Sequence, residues 1–153
     1  MHRLATIGYE GTTVDEFLDT LRGAGIQLLV DVRAVAMSRR PGFAKSALSA
    51  NLREAGIDYL HLRKLGTPSD GRAAARAGRH EEMHRIFLKQ LATPEAQDEL
   101  STLADLVRSG RQVCILCFEA DPAHCHRRLV AMALQKEMSL QVDDLFPGTE
   151  DPA

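Results

Sequence analysis

The sequence lacks an apolar run near the roughly 20 residues that a membrane helix requires, and its first residues lack the apolar core of a signal peptide. It contains only three cysteines in 153 residues, too few for a secreted disulfide scaffold. A net charge of −2 excludes a globally basic nucleic-acid binder. With 44% hydrophobic and 26% charged residues, the composition also excludes fibrous and disordered proteins. We expect a single α/β domain over residues 1–146 and a flexible C-terminal tail over residues 147–153.

Short apolar runs alternate with helical patterns along the chain. Strands are expected at residues 3–7, 28–32, 57–62, 112–117 and 140–142. Thr13 with Glu16 forms a capping box that opens the first helix, and Thr93 with Pro94 opens a later one. Further helices are expected at residues 44–55, 81–91 and 122–137, whereas residues 66–79 are interpreted as a loop with helical turns. This order predicts an open, mostly parallel sheet of four to five strands with helices on both faces.

The near-neutral net charge conceals a local asymmetry. Residues 33–64 contain seven basic and two acidic residues, an excess of five positive charges. Residues 137–153 contain five acidic residues and neither lysine nor arginine. Because arginine suits bidentate contacts with phosphate or carboxylate, the basic segment indicates an anion site or, alternatively, a solvated charged surface.

Ligands of parallel α/β sheets bind outside the carboxyl ends of the strands, so the residues at these ends are candidates for a site. The first strand ends in a Gly-Tyr-Glu-Gly turn and the second in Asp31-Val32-Arg33, with an Arg39–Arg40 pair in the following loop. We expect this edge to bind substrate, and Arg33, Arg39 and Arg127 to hold its anionic group. The predicted substrate-binding residues are Gly8, Tyr9, Glu10, Asp31, Arg33, Ser38, Arg39 and Arg127.

The segment from Cys117 to Arg128 is the richest in chemically active side chains. If a helix begins at Pro122, Cys125 lies in its first turn, where the helix dipole and neighbouring cations favour a thiolate. Three interpretations remain open: a nucleophilic thiolate served by a proton carrier, a metal site, or packed thiols with capping residues. The predicted catalytic residues are Cys117, Glu119, Cys125 and His126; the metal alternative would draw on Cys117, His124, Cys125 and His126, with irregular spacing.

Five motifs in order, TIGYEG, LVDVR, SRRPGF, AGIDYLHLRKLG and LCFEADPAHCHRRLVA, resemble the domain of unknown function 488 family, in its GYEG-type members. The resemblance runs from about Thr6 to Leu134. It implies a compact α/β domain in which the motif positions are the candidates for functional residues. Phe118 departs from the family pattern, because a small residue such as alanine is commoner there, and it would narrow the crevice beside Cys117. The motif positions add Phe43, Leu65 and Gly66 to the residues already named.

Together these features predict a cytoplasmic enzyme acting on a small anionic, phosphate- or nucleotide-containing substrate. The alternatives are a non-catalytic module that binds nucleic acid or another anion through the basic segment, and a metal-binding protein. No cofactor, no resident metal and no membrane partner are predicted, and the oligomeric state is left open.

Overall fold

The computed structural model of the chain describes residues 1–148 and contains one sheet of five parallel strands. The strands lie in the order β3-β2-β4-β1-β5, and each pairs in parallel register with its neighbours. Their bounds are β1 His2–Gly8, β2 Leu28–Asp31, β3 Asp58–His61, β4 Val113–Cys117 and β5 Leu140–Leu145. The predicted α/β fold with a parallel sheet is thereby confirmed.

Helices cover both faces of the sheet, as predicted. Helix α1 (Val14–Gly23) and helix α2 (Lys45–Glu54) pack on one face through Phe17, Leu21, Leu48 and Leu52. The opposite face is covered by α4 (His80–Leu91), α5 (Pro94–Arg108) and α6 (Arg127–Gln135), while the short α3 (Ser69–Arg76) packs against α4. The Thr13 hydroxyl accepts the Glu16 backbone N–H at 3.2 Å, as the capping box predicts.

Successive strands are first added on one side of β1 and, after β3, in the opposite direction across the sheet. The chain moves from β1 through β2 to the β3 edge and then returns to insert β4 between β2 and β1. Right-handed crossovers therefore place α1 and α2 on one face and the later helices on the other. A reversal of this kind opens a crevice at the carboxyl ends of the central strands, which is the preferred ligand position in such sheets.

Three local predictions differ from the structure. Residues 66–79, interpreted as a loop, contain α3, since the Ala-rich sequence after Pro68 favours a helix. The expected helix over residues 122–137 is divided into a 3₁₀ turn at Pro122–His124 and α6, because Cys125 is extended (φ −127°, ψ 146°). Cys125 therefore precedes α6 instead of lying in the first turn of a helix. Strand β5 is longer than expected because it pairs with β1 over six residues.

The predicted single domain of residues 1–146 and tail of 147–153 remain predictions. Of the tail, Pro147 and Gly148 form a turn, and residues 149–153 lie outside the described part of the chain. Within residues 1–148, no helix combines the length and apolar character needed to cross a membrane.

Candidate functional site

A pocket of about 390 Å³ lies at the carboxyl ends of β1, β2 and β4. Five of the predicted site residues line it: Tyr9, Arg33, Cys117, Glu119 and His126. The remaining wall comes from the loop after β2, from Phe118, and from residues of α3 and α4. The structure thus places ionisable side chains from three strand ends around one cavity.

Two sulfur atoms meet beside this pocket. Cys117, the last residue of β4, and Cys125, just before α6, are joined as a disulfide, and their Cα atoms are 7.2 Å apart. Both residues are 1% exposed. Cys114 is free and packs into the core on the opposite face of the sheet, where burial raises the pKa of its thiol. Cys114 and Cys117 therefore do not form a redox pair, because residues three apart on a strand point to opposite faces of the sheet.

Arg127 fixes the floor of the pocket. Its guanidinium is fully buried and donates hydrogen bonds to the Thr6 hydroxyl (3.2 Å), the Cys117 sulfur (3.2 Å), and the carbonyl oxygens of Glu119 and Ala120. Among residues 1–148, no carboxylate lies within 4 Å of it. Burial lowers the pKa of this guanidinium, and more distant acidic groups oppose that shift. The contacts make Arg127 a clamp that joins β1, β4 and the loop after β4.

Glu119 lies next to the sulfur pair. Its Oε2 is 3.6 Å from the Cys117 sulfur, and the residue is half-buried in the pocket wall. Burial raises the pKa of this carboxyl group, and the positive charge of Arg127 opposes the shift. A carboxyl group so placed can exchange a proton with a group bound in the pocket.

His126 has a fixed tautomer. Its Nε2 lies 2.7 Å from the Val32 carbonyl oxygen, an acceptor only, so Nε2 carries the hydrogen. Nδ1 is then an unprotonated acceptor, 3.9 Å from the Cys125 sulfur. Because the ring is buried, the pKa of His126 is lowered to about 4, so the ring is neutral at pH 7.

Arg33 is held by Asp31 in a bidentate ion pair with distances of 2.9 and 2.7 Å. Its remaining nitrogen donates to the Tyr9 hydroxyl and to the Phe43 carbonyl oxygen. Burial opposes the charge of Arg33 most strongly, but the hydrogen bond and charge of Asp31 together with the contact to Tyr9 raise its pKa overall. The Tyr59 hydroxyl also donates to Asp31. The pKa of its phenol is raised, mainly by burial and secondly by this hydrogen bond. This buried group braces the pocket wall.

The Gly-Tyr-Glu turn after β1 contacts the loop after β4. The Glu10 N–H donates to the Phe118 carbonyl oxygen at 2.8 Å, and the Ala120 N–H donates to the Glu10 carboxylate at 3.0 Å. A Cβ at Gly8 would overlap the backbone carbonyl of Glu119, so only glycine allows the loop to approach this closely. These contacts fix the part of the chain that carries Glu119.

Three predicted candidates lie away from the pocket. Ser38 accepts the Arg40 N–H in the loop before α2, and Arg39 is exposed in that loop. His124, offered as a metal ligand, is half-exposed, and its ring stacks on His80. The ligand atoms of Cys117, Cys125 and His126, by contrast, lie within 4.8 Å of one another.

Two pocket residues were missed by the sequence analysis. Arg72 and Arg76 are one turn apart on α3 and line the cavity opposite the strand ends. Arg72 donates to the Thr67 carbonyl oxygen at 2.9 Å, and Arg76 is exposed. Their i, i+4 spacing places them on one face only if the segment is a continuous helix, and the sequence predicts a loop with helical turns there.

Comparison with known proteins gives one match. The family model described as Domain of unknown function DUF488 matches residues 13–134, most of the chain. No curated protein and no solved structure matches it.

Proposed function

The chain belongs to the domain of unknown function DUF488 family, and we propose from the geometry of its pocket that it is an enzyme acting on a small anionic substrate. One observation carries this proposal: a single cavity is lined by Arg72 and Arg76 of α3, which we call the rim, and by the buried Cys117 sulfur, the half-buried Glu119 carboxyl and the buried His126 imidazole, which we call the floor. Its volume of about 390 Å³ is at the small end of the usual range for ligand pockets. The substrate is therefore a small molecule or the end group of a larger one.

Arg72 and Arg76 are the proposed anion-binding residues. They project from one face of α3, and within residues 1–148 neither has a carboxylate within 4 Å. Arg127 and Arg33 each donate four side-chain hydrogen bonds within the protein, which leaves each guanidinium little capacity for a ligand. We therefore assign Arg33 and Arg127 to holding the pocket in shape, and the two rim arginines to binding phosphate or carboxylate.

The reactive centre in this proposal is the buried sulfur cluster of Cys117 and Cys125, with Glu119 transferring protons. The Glu119 carboxyl lies 3.6 Å from the Cys117 sulfur, and both line the cavity. If Arg72 and Arg76 hold the anionic group of a substrate, the adjoining part of the substrate would lie next to Cys117 and Glu119. The positioning of substrate by fixed charges beside a proton carrier is a general source of rate enhancement.

The non-catalytic alternative places binding on the basic segment instead. Arg39 is the exposed member of its arginine pair, because Arg40 donates to the Thr12 carbonyl oxygen at 2.6 Å. Nucleic-acid binding through this segment would be lost on substitution of Arg39 and would weaken steeply with salt. The pocket proposal predicts no effect of that substitution, so one set of variants separates the two functions.

The test is calorimetric titration of the reduced protein with inorganic phosphate, pyrophosphate, a nucleoside monophosphate and a short single-stranded DNA. We expect at least one small anion to bind, and Arg72→Ala/Arg76→Ala to weaken binding about 100-fold, the equivalent of two charge-assisted hydrogen bonds. Arg39→Ala is the matched control and should leave the affinity unchanged. The proposal fails if no small anion binds, or if Arg39→Ala abolishes binding while the double variant does not.

A further inference from the structure

We propose that, once a dithiol reductant has cleaved the Cys117–Cys125 disulfide to two thiols, Cys117, Cys125 and His126 form a binding site for Zn²⁺, with the remaining coordination position opening into the pocket. Their three ligand atoms lie within 4.8 Å of one another, and all three residues are buried. Two thiolates with one imidazole are a preferred donor set for Zn²⁺, and three protein ligands with an open fourth position are typical of its catalytic sites.

The orientation of His126 fits this role. Its Nε2–H donates to the Val32 carbonyl oxygen, which leaves the Nδ1 lone pair on the side of Cys125. A metal-binding histidine almost always donates its other ring nitrogen to a backbone carbonyl or a carboxylate in this way. The ring is therefore fixed in the tautomer that a metal requires, and His126 could bind the metal without losing its hydrogen bond to Val32.

Both sulfur atoms accept N–H groups from the same residue. The Arg127 backbone N–H is 3.5 Å from the Cys125 sulfur, and its guanidinium is 3.2 Å from the Cys117 sulfur. Hydrogen bonds and a buried positive charge both favour thiolates, which are the form that binds metal. Among residues 1–148, the nearest carboxylates act on Arg127 from beyond 4 Å, with Asp144 the strongest of them, whereas the Cys117 sulfur is in direct contact with its guanidinium.

The backbone spacing of the two cysteines is wider than in most disulfides and, in the reduced protein, suits two thiolates on a shared metal ion. Disulfides usually hold their Cα atoms about 4.4–6.8 Å apart. The Cα atoms of Cys117 and Cys125 are 7.2 Å apart. Two thiolates on one Zn²⁺, each about 2.3 Å from the metal, lie about 3.8 Å from each other in tetrahedral geometry, and this wider separation suits the observed backbone.

The open position connects this site with the pocket. Cys117 and His126 line the floor of the cavity beside Glu119, whereas Cys125 lies behind them. Zn²⁺ held there would act as a Lewis acid towards a bound substrate, an inference that rests on the proposed function. Metal binding itself does not depend on the rim arginines.

The test is metal analysis of protein purified reduced, without an affinity tag or chelator, and then reconstituted with Zn²⁺. We expect about one Zn²⁺ per chain, and Cys125→Ser and His126→Gln to weaken its affinity about 100-fold or more. Cys114→Ala and His124→Ala are matched controls that remove a thiol and an imidazole outside the cluster, and both should retain the metal. Co²⁺ in the wild type should give a thiolate charge-transfer band in the near ultraviolet.

Two results would overturn the proposal. One is reduced, folded wild-type protein that takes up less than about 0.1 Zn²⁺ per chain and shows no thiolate band with Co²⁺. The other is unchanged affinity in folded Cys125→Ser. If that variant does not fold, protection of Cys117 from alkylation by one equivalent of Zn²⁺ in the wild type decides the question. Unchanged anion binding in Arg72→Ala/Arg76→Ala with full metal content would refute the proposed function alone.

Discussion

Replacing Arg127 with methionine tests whether this buried guanidinium holds the site together. Methionine fits the apolar stem but removes four hydrogen bonds, to the Thr6 hydroxyl, the Cys117 sulfur and the carbonyl oxygens of Glu119 and Ala120. Each buried acceptor left without a partner costs about 1–3 kcal/mol. Relief of the cost of burying a charge offsets part of this loss. We therefore expect the free energy of unfolding to fall by about 3 kcal/mol, a large share of a typical total of about 5–15 kcal/mol.

The assay is urea unfolding of the reduced protein, followed by far-ultraviolet circular dichroism. Arg127→Lys, which keeps the charge but has a single nitrogen, should lose roughly half as much stability as Arg127→Met. The neighbouring Arg128 is exposed, so Arg128→Met is the matched control and should change stability by no more than about 0.5 kcal/mol. An Arg127→Met protein as stable as the Arg128→Met protein would refute the assignment of Arg127 as a clamp.

Two further predictions concern the surroundings of the site. Gly8→Ala should destabilise the protein by about 1–3 kcal/mol, because the added Cβ would overlap the Glu119 carbonyl. Gly23→Ala is the control, because its added Cβ has nothing within 4 Å. Equal stability of the two variants would contradict the prediction. In Tyr9→Phe, Tyr59 is the only tyrosine, and its near-ultraviolet absorbance should report ionisation well above the ordinary pKa of about 10. Since burial raises its pKa in the folded state, its contribution to stability should be complete below pH 10 and decline as the pH rises further. Ionisation near pH 10 in the folded protein would contradict this.

The rule that ligands of parallel sheets bind at the carboxyl ends of the strands was sufficient to predict which strand ends form the pocket. Tyr9, Arg33, Cys117 and Glu119 end or follow three different strands, and all four line one pocket. Such a prediction succeeds because a continuous apolar strand identifies its own end, and parallel strands share one edge. The Asp31–Arg33 ion pair follows from the same alternation, because residues two apart on a strand share a face.

The failures arise where tertiary contacts decide local structure. The Ala-rich segment of α3 carries both rim arginines, but its capping residue, Pro68, makes no side-chain hydrogen bond that would mark the start of a helix. The break at Cys125 cannot be predicted from Pro122, because it depends on packing the sulfur against Cys117 and the His126 ring against Val32. The distinction between an anion-binding arginine and a clamp also depends on partners distant in sequence, such as Thr6 for Arg127.

The most direct test of the account measures the alkylation of Cys117 in the reduced, metal-free protein with iodoacetate and with neutral iodoacetamide. Charges that line a cleft raise the encounter rate of an oppositely charged reagent about tenfold or more. The account predicts that iodoacetate is favoured at Cys117, and that Arg72→Ala/Arg76→Ala lowers its rate relative to iodoacetamide about tenfold. Labelling should be followed by mass spectrometry of the separated peptides; the buried Cys114 should stay unlabelled and so report that the protein remains folded. An unreactive Cys117, or the same ratio of rates in the double variant, would contradict the central claim that its sulfur lies at the floor of an anion-binding pocket.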